Sequence, residues 1–314
     1  MIMQTDHWSD LELRHLQSFR AVAETGSFHG AADLLDYTQS AVSQHLATLE
    51  SIVGVRLVER SRGRRTIELT EPGRLLLRHA EAIVARLSAA QADLRSYAEG
   101  ATGVLRVGTY QSVGARILPA LVSRFAAAWP DVEVHLREDH DDIRLLSFIE
   151  SGELDLAFTV FPLPAGPFDA VELLRDPYVL MVASGSPMAR RAGALSLREL
   201  ADQPLIGFRG GRTTELAEAH LRRYGYEPRV VFRSDDNGTV QGLVAAGVGS
   251  ALVPLLTVDA DDPSVVLVAT SVPPRIIGLA WHRDRHRSPA NRAFVDLARE
   301  VCAAVRVQVP SPAA

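Results

Sequence analysis

Leu76, Ala80, Ile83, Leu87, Ala90, Leu94 and Tyr97 stand alternately four and three residues apart. This spacing limits the fold more than any other feature of the chain. It is a heptad seam, the stripe by which one helix packs along another. The segment carrying it, "EPGRLLLRHAEAIVARLSAAQADLRSYAEG", places Pro72 in the first turn, where a missing N–H costs little. At 1.5 Å per residue the helix would run on the order of 40 Å. A lone helix of that length has nowhere to bury its stripe, so a partner is expected against it, either another helix or the rest of its own chain. The helix also divides the chain at about residues 71–100, with Gly100 and Gly103 marking its far boundary.

The segment before it reads as three short helices and a hairpin. In "LRHLQSFRAVAETG", Leu13, Leu16, Phe19, Val22 and Ala23 fall at helical spacing, and Gly26 is a stop signal. Ser27 caps a short helix whose packing side is Ala31, Ala32 and Leu35. After "DYT", Thr38 caps a third helix, "QSAVSQHLATLE". At about 100° per residue, Val42, Leu46, Leu49 and Val53 make one narrow stripe. Gln39, Ser40, Ser43, Gln44 and Ala47 make the opposite face, which has no charge before Glu50. Two helices joined by so short a turn, with a preceding helix to pack on, form a helix-turn-helix. A Gln/Ser face suits either solvent or base edges, since Gln can bond adenine in two places and Ser can bond base or phosphate. "GVRLVERSRGRRTIELTEPG" then reads as strand, turn, strand, with Arg60, Arg62, Arg64 and Arg65 gathered at the turn. Arginines at such a tip would meet phosphates or a narrow minor groove. The formal net charge of the whole chain is −5, so nucleic-acid contact has to come from a local patch of this kind.

The block from about Leu11 to Ala80, with "FRAVAETGSFHGAADLL", "TQSAVSQHLATLE", "GVRLVERS" and "LTEPGRLLLRHA" in order, resembles the winged helix-turn-helix of LysR-type transcriptional regulators. The resemblance implies a DNA-binding domain over 1–70 and a linker helix over 71–100. An effector-binding domain follows over 101–314. The third helix would read double-stranded DNA through Thr38, Gln39, Ser40, Ser43 and Gln44, assisted by Ser27 and by Arg62, Arg64 and Arg65. Many members carry Pro where Ser40 stands and Arg where Gln44 stands, so base preference here departs from theirs. Leu76, Ala80, Ile83, Leu87, Ala90 and Leu94 would join two chains into a homodimer. Effector domains would pair such dimers into a tetramer, with RNA polymerase as a further candidate partner.

The second half alternates strand and helix, from "VLRVGTY" through "RIIGLAWH" to a last helix near "NRAFVDLAREVCAAV". Alternation of this kind gives parallel or mixed sheets covered by helices on both sides. It resembles the family's two-lobed, periplasmic-binding-protein-like α/β effector domain. The first lobe is placed at about 103–162 and 270–314, the second at about 163–269. A ligand cleft belongs at strand C-ends and helix N-termini, where free N–H groups favour an organic acid or other anion. That selects Tyr110, Gln111 and Ser112, then Phe208 and Arg209, then Asn237. Arg209 can grip a carboxylate with two hydrogen bonds. Asp142 and Thr159 match positions that often line the family's pocket, Asp142 being suited to an amine or hydroxyl.

Other chemistries fit poorly. The chain has no lysine, so neither a Walker A loop nor a pyridoxal Schiff base can be built. "YQSVG" lacks the first glycine of a serine-hydrolase elbow. "GVGSAL" is an incomplete dinucleotide motif. His282 and His286 stand among arginines and make poor metal ligands. No catalysis, cofactor or metal is expected. One cysteine, Cys302, excludes an intrachain disulfide. No apolar run reaches the roughly 20 residues of a membrane helix, and no signal peptide is evident. A reducing, cytoplasmic location fits and is expected. The alternative is a stand-alone solute-binding or catalytic α/β protein with a helical dimerisation arm.

Overall fold

The computed structural model describes residues 7–60, 67–99, 103–190 and 194–305. The chain folds as two compact units, Met1–Gln91 and Ala92–Ala314.

In the first unit, α1 (Leu13–Thr25), α2 (Phe28–Leu35) and α3 (Gln39–Val53) are followed by β1 (Val58–Arg60), β2 (Ile67–Leu69) and most of α4 (Glu71–Glu99), whose last turns belong to the second unit. Local chemistry sets the helix ends. Gly26 closes α1 at φ 66°, Ser27 Oγ accepts from Gly30 N–H, and Thr38 Oγ1 accepts from Ala41 N–H. Leu16, Phe19, Val22, Val42, Leu46 and Leu49 are buried together. Glu50 is tied into the fold: its carboxylate accepts from Leu57 N–H at 2.7 Å, fixing the chain's entry into β1. β1 pairs antiparallel with β2. A side chain at Gly73 would run into the Leu57 carbonyl, which explains a glycine in the first turn of α4.

The heptad seam is not uniform. Ala80 and the off-seam Val84 are buried in the first unit's own core, and Leu76 and Leu77 pack against it. Leu76 and Ala80 therefore bury their surface within one chain, which corrects their assignment to a dimer seam. Their turns lie over the α1–α3 core. Ile83, Leu87, Ala90 and Leu94 are exposed. The side chain of Tyr97 falls outside the described residues.

The second unit has two lobes. Its elements are β3 (Gly103–Thr109), α5 (Gln111–Arg116), α6 (Leu118–Ala128), β4 (Val132–Glu138), α7 (Asp142–Glu150), β5 (Leu156–Phe161), β6 (Phe168–Asp176) and β7 (Tyr178–Ala183). There follow α8 (Leu197–Ala201), β8 (Pro204–Gly207), α9 (Arg212–Arg223), β9 (Arg229–Arg233), α10 (Asn237–Ala245), β10 (Ala251–Pro254), β11 (Val265–Ala269), β12 (Arg275–His282) and α11 (Pro289–Ala304).

The first lobe is built on a five-stranded sheet in the order β4-β3-β5-β12-β6. β3 runs parallel to β4 and β5, and β12 runs antiparallel to β5 and β6. Phe125 of α6 meets Phe294 of α11 edge-on in its core. In the second lobe, β10-β7-β11 is antiparallel and β8-β9 is parallel, with a bridge from Leu205 to Ser250 joining the two. β7 is buried on both faces. Tyr178, Leu180 and Val182 join one core, while Val179 and Met181 join another, as expected of a central strand covered on both sides.

The lobe boundary differs from the expected 163. β6, which the sequence reading passed over, belongs to the first lobe's sheet. The chain crosses at Pro177, between β6 and β7, and returns between β11 and β12. β6 is an edge strand with seven of its nine residues exposed or half-exposed, so it lacks the apolar run by which the other crossing strands announce themselves.

Candidate functional site

Two surfaces carry chemistry. The first is the outer face of α3. Thr38, Gln39, Ser40 and Gln44 are exposed and Ser43 is half-buried, while Val42, Leu46 and Leu49 on the opposite side are buried. Three apolar anchors fix the rotation of the helix, so the polar residues have one presentation. Behind them His45 Nδ1 shares a 2.8 Å hydrogen bond with Ser18 Oγ, and the His45 ring meets Tyr37 and His15 edge-on. Burial pushes both imidazoles below their ordinary value; for His45, His15 and Arg14 add to it. Both rings therefore favour the neutral form in this packing. Ser27 is half-buried, its oxygen used as the α2 cap. The backbone of Arg60 pairs with Ile67. Arg62, Arg64 and Arg65 fall outside the described residues.

The second is a cavity of about 70 Å³ between the lobes of the second unit. From the first lobe, Tyr110, Gln111 and Ser112 line it at the C-end of β3 and the start of α5. From the second, Phe208 and Asn237 line it, with Gly211, Arg212 and Thr213 at the start of α9. These are strand C-ends and helix N-termini, and six of the eight expected residues meet there, Asp142 at the start of α7 being the sixth. Gln111 spans the lobes: its amide donates to Asp236 at 3.0 Å and its oxygen accepts from Asn237 N–H at 2.9 Å. The Gln111 bond, aided by Thr239, holds the Asp236 carboxyl below the usual carboxylate range.

Three expectations need correction. Arg209 does not line the cavity. Its side chain is 71% exposed and lies loosely beside Asp235, 3.9 Å away. Asp142 lines it but is already occupied: one carboxylate oxygen accepts from Thr159 Oγ1 at 2.9 Å, Val160 N–H at 3.1 Å and Arg212 Nη1 at 2.9 Å. These three bonds fix its orientation in the cavity wall. Thr159 is fully buried and serves to hold Asp142.

The cations in the cavity wall are Arg212 and Arg275, which the sequence reading did not single out. Arg275 opens β12 and is buried. It donates to Asp176, at the end of β6, through Nε at 2.9 Å and lies 2.7 Å from it through Nη2. Nη2 also reaches Ser112 Oγ at 2.8 Å, and Nη1 reaches Thr213 Oγ1 at 3.5 Å. Asp176 in turn accepts from Leu256 N–H. One guanidinium thus touches both lobes beside the strand crossing. The Tyr110 ring stands 5.5 Å from it. The Tyr110 hydroxyl is buried without a hydrogen-bond partner among the described residues, and burial raises its pKa well above the ordinary phenol value, so it stays protonated.

Elsewhere, Cys302 is buried and its thiol is pushed up to about 11 by burial. His282 is buried, with Nδ1 accepting from Asp284 N–H. Among the described residues no group of three or more His, Cys, Asp or Glu could hold a metal ion. No helix among them is long and apolar enough to cross a membrane.

Comparison with known proteins matches residues 13–74 to the bacterial regulatory helix-turn-helix protein, lysR family, and residues 98–303 to the LysR substrate binding domain. The chain is 33% identical over 285 residues to the transcriptional regulator IlvR of Caulobacter vibrioides, covering 87% of this chain and 93% of IlvR. It is 32% identical over 290 residues to CfxR of Cupriavidus necator, covering 90% and 89%. Among solved structures, full-length CbnR complexed with its target DNA matches at TM-score 0.62 and 25% identity, covering 93% of this chain and all of that one.

Proposed function

This chain belongs to the LysR family of transcriptional regulators, and from that premise we propose how its parts divide the work. α3 enters the major groove of operator DNA and reads bases through Thr38, Gln39, Ser40, Ser43 and Gln44. Arg62, Arg64 and Arg65, with Ser27, hold phosphates. Ile83, Leu87, Ala90 and Leu94 pair two chains, and effector domains join the dimers into tetramers that can meet RNA polymerase. The cavity between the lobes takes a small molecule, whose binding resets the arrangement of the reading heads. The protein acts in the cytoplasm without catalysis of its own.

The observation that carries the DNA reading is the face of α3. It is exposed, uncharged and locked in rotation by three buried anchors. Solvated faces favour Glu, Lys and Arg, whereas Gln can pair with adenine through two bonds and Ser or Thr with any base edge. A relative solved on its target DNA lends support.

The test is a footprint and gel shift on the DNA upstream of the chain's own gene, followed by a panel of single-base variants. Gln39→Ala should lose discrimination at one or two positions by about 1–3 kcal/mol. Arg64→Ala should weaken all sequences alike and flatten the salt dependence. Equal loss at every position for Gln39→Ala counts against its reading bases. A ligand can reset the heads only through different affinity for the two arrangements. A saturating ligand that moves neither footprint nor bend refutes that part.

A further inference from the structure

The N-terminal end of α3 carries one large side chain that its base-reading face does not use. Tyr37 directly precedes the cap Thr38 and is 43% exposed. It is fixed at both ends all the same. Its backbone N–H donates to the Ala32 carbonyl at 3.0 Å, just past the end of α2. Its ring meets the His45 ring edge-on, with centroids 5.5 Å apart. His45 is held in turn by Ser18 Oγ at 2.8 Å and by the His15 ring, and Ser18 is fully buried. A line of contacts thus runs from the core of α1 out to an exposed phenol. The Tyr37 hydroxyl makes no hydrogen bond among the described residues. A ring fixed in advance loses little freedom on binding, and its tip is a donor open to a partner outside the chain.

The place of His45 says which partner. It stands between exposed Gln44 and buried Leu46, about 100° round the helix from each. His45, and the ring that rests on it, therefore lie on the flank of α3, between the reading face and the core. The major groove is about 12 Å wide, and a helix with its side chains is about 10–12 Å across. A helix seated there turns its front to the base edges and its flanks to the phosphates that wall the groove. Tyrosine hydroxyls are among the groups that bond those phosphates.

We propose that Tyr37 donates to a backbone phosphate at the groove wall and that His45 is its positioning residue. The proposal rests on reading α3 as the groove helix, and it adds a contact that sets register without reading sequence.

A neutral donor releases no counterion, so its loss differs in kind from the loss of an arginine. The test is fluorescence anisotropy of the full chain on the DNA found by footprinting. Tyr37→Phe should bind about tenfold more weakly, alike on every single-base variant and with the salt slope unchanged. Its melting temperature should not fall, because the ring and its contact with His45 remain. A scan of single methylphosphonates, each replacing one charged phosphate oxygen by a methyl group, should find a position at which the two proteins bind equally. In a His45→Gln background the Tyr37→Phe loss should shrink, which a purely structural role for His45 would not produce. Full affinity for Tyr37→Phe overturns the proposal, as does a loss confined to one base pair or a flattened salt slope. An undiminished loss in the His45→Gln background overturns the positioning role. If Tyr37→Phe is silent while Gln39→Ala still loses base discrimination, only this contact fails and α3 remains the reader. If neither variant alters binding, the reading of α3 fails with it.

Discussion

Asp176→Ala should destabilise the second unit by about 4 kcal/mol. Arg275 and Asp176 are both buried, 2.7 Å apart. At an effective dielectric of about 20, two unit charges at that separation attract by roughly 6 kcal/mol. The net cost of removing one partner of a buried pair is about 3–5 kcal/mol, because the other charge is left unpaired. The upper part of that range applies for a second reason: Leu256 N–H also loses its acceptor. Ser112 Oγ and the Tyr110 ring stay beside the guanidinium but carry no charge. Against a typical domain stability of about 5–15 kcal/mol, a loss near 4 is severe. The pair as a whole is another matter. Burial pulls the Asp176 carboxyl above its ordinary range despite Arg275, so desolvation offsets much of the attraction. The double variant Asp176→Leu/Arg275→Met should therefore lie within about 2 kcal/mol of the original. Urea unfolding followed by tryptophan fluorescence measures both, since two of the three tryptophans, Trp129 and Trp281, pack against the first lobe's core. A loss below about 1 kcal/mol in the single variant, or a double variant as unstable as the single one, refutes the reasoning.

Three further outcomes concern the helical domain and the long helix α4. The lowered His15 and His45 mean that the unfolded chain takes up protons more readily, so their contribution to stability is full above about pH 6.5 and is lost as pH falls below it. DNA affinity by fluorescence anisotropy at fixed ionic strength should drop below that pH, and His45→Gln should flatten the profile. Leu49→Ala, at a fully buried position, should cost about 2–5 kcal/mol. Calorimetry should place that loss in the first unit's transition and leave the second unit's unmoved. Leu87→Glu with Leu94→Glu should yield monomers in light scattering with helical content retained, because both side chains are exposed in the single chain and only a partner helix would bury them. Persistence of the dimer would locate pairing elsewhere.

What was legible in the sequence was what is determined locally. The caps at Gly26, Ser27 and Thr38 act within four residues of their helix ends, and the Val42, Leu46 and Leu49 stripe follows from helical period alone. Both are as expected. Period also exposed the heptad seam, but period cannot say which partner a stripe meets. Ala80 and Leu87 are equivalent in spacing, yet one is sealed in the chain's own core and the other is open. The difference is set by how far the α1–α3 core reaches along α4, a tertiary quantity. β6 was missed for a related reason: as an edge strand it buries little, so its composition does not betray it.

The cavity was legible as a set of chain segments and illegible as a set of charges. Strand C-ends and helix starts were correctly picked, because any open α/β sheet brings them to one crevice. The pairs Arg275–Asp176 and Arg212–Asp142 join residues 99 and 70 positions apart, and nothing local links them. Topology does. Once β12 is laid antiparallel to β6, the register sets Arg275 directly opposite Asp176, the arrangement in which opposite charges on neighbouring strands attract. Arg209 and Arg212 illustrate the same limit within one loop. Either could grip an acid on composition alone. Gly211 takes φ 90° between them, a conformation that favours glycine, and there the chain turns into α9. The arginine before that turn faces solvent, and the one after it begins a helix whose first turn opens on the cavity. The choice between them is made by the direction of a helix axis, which the neighbouring strands impose.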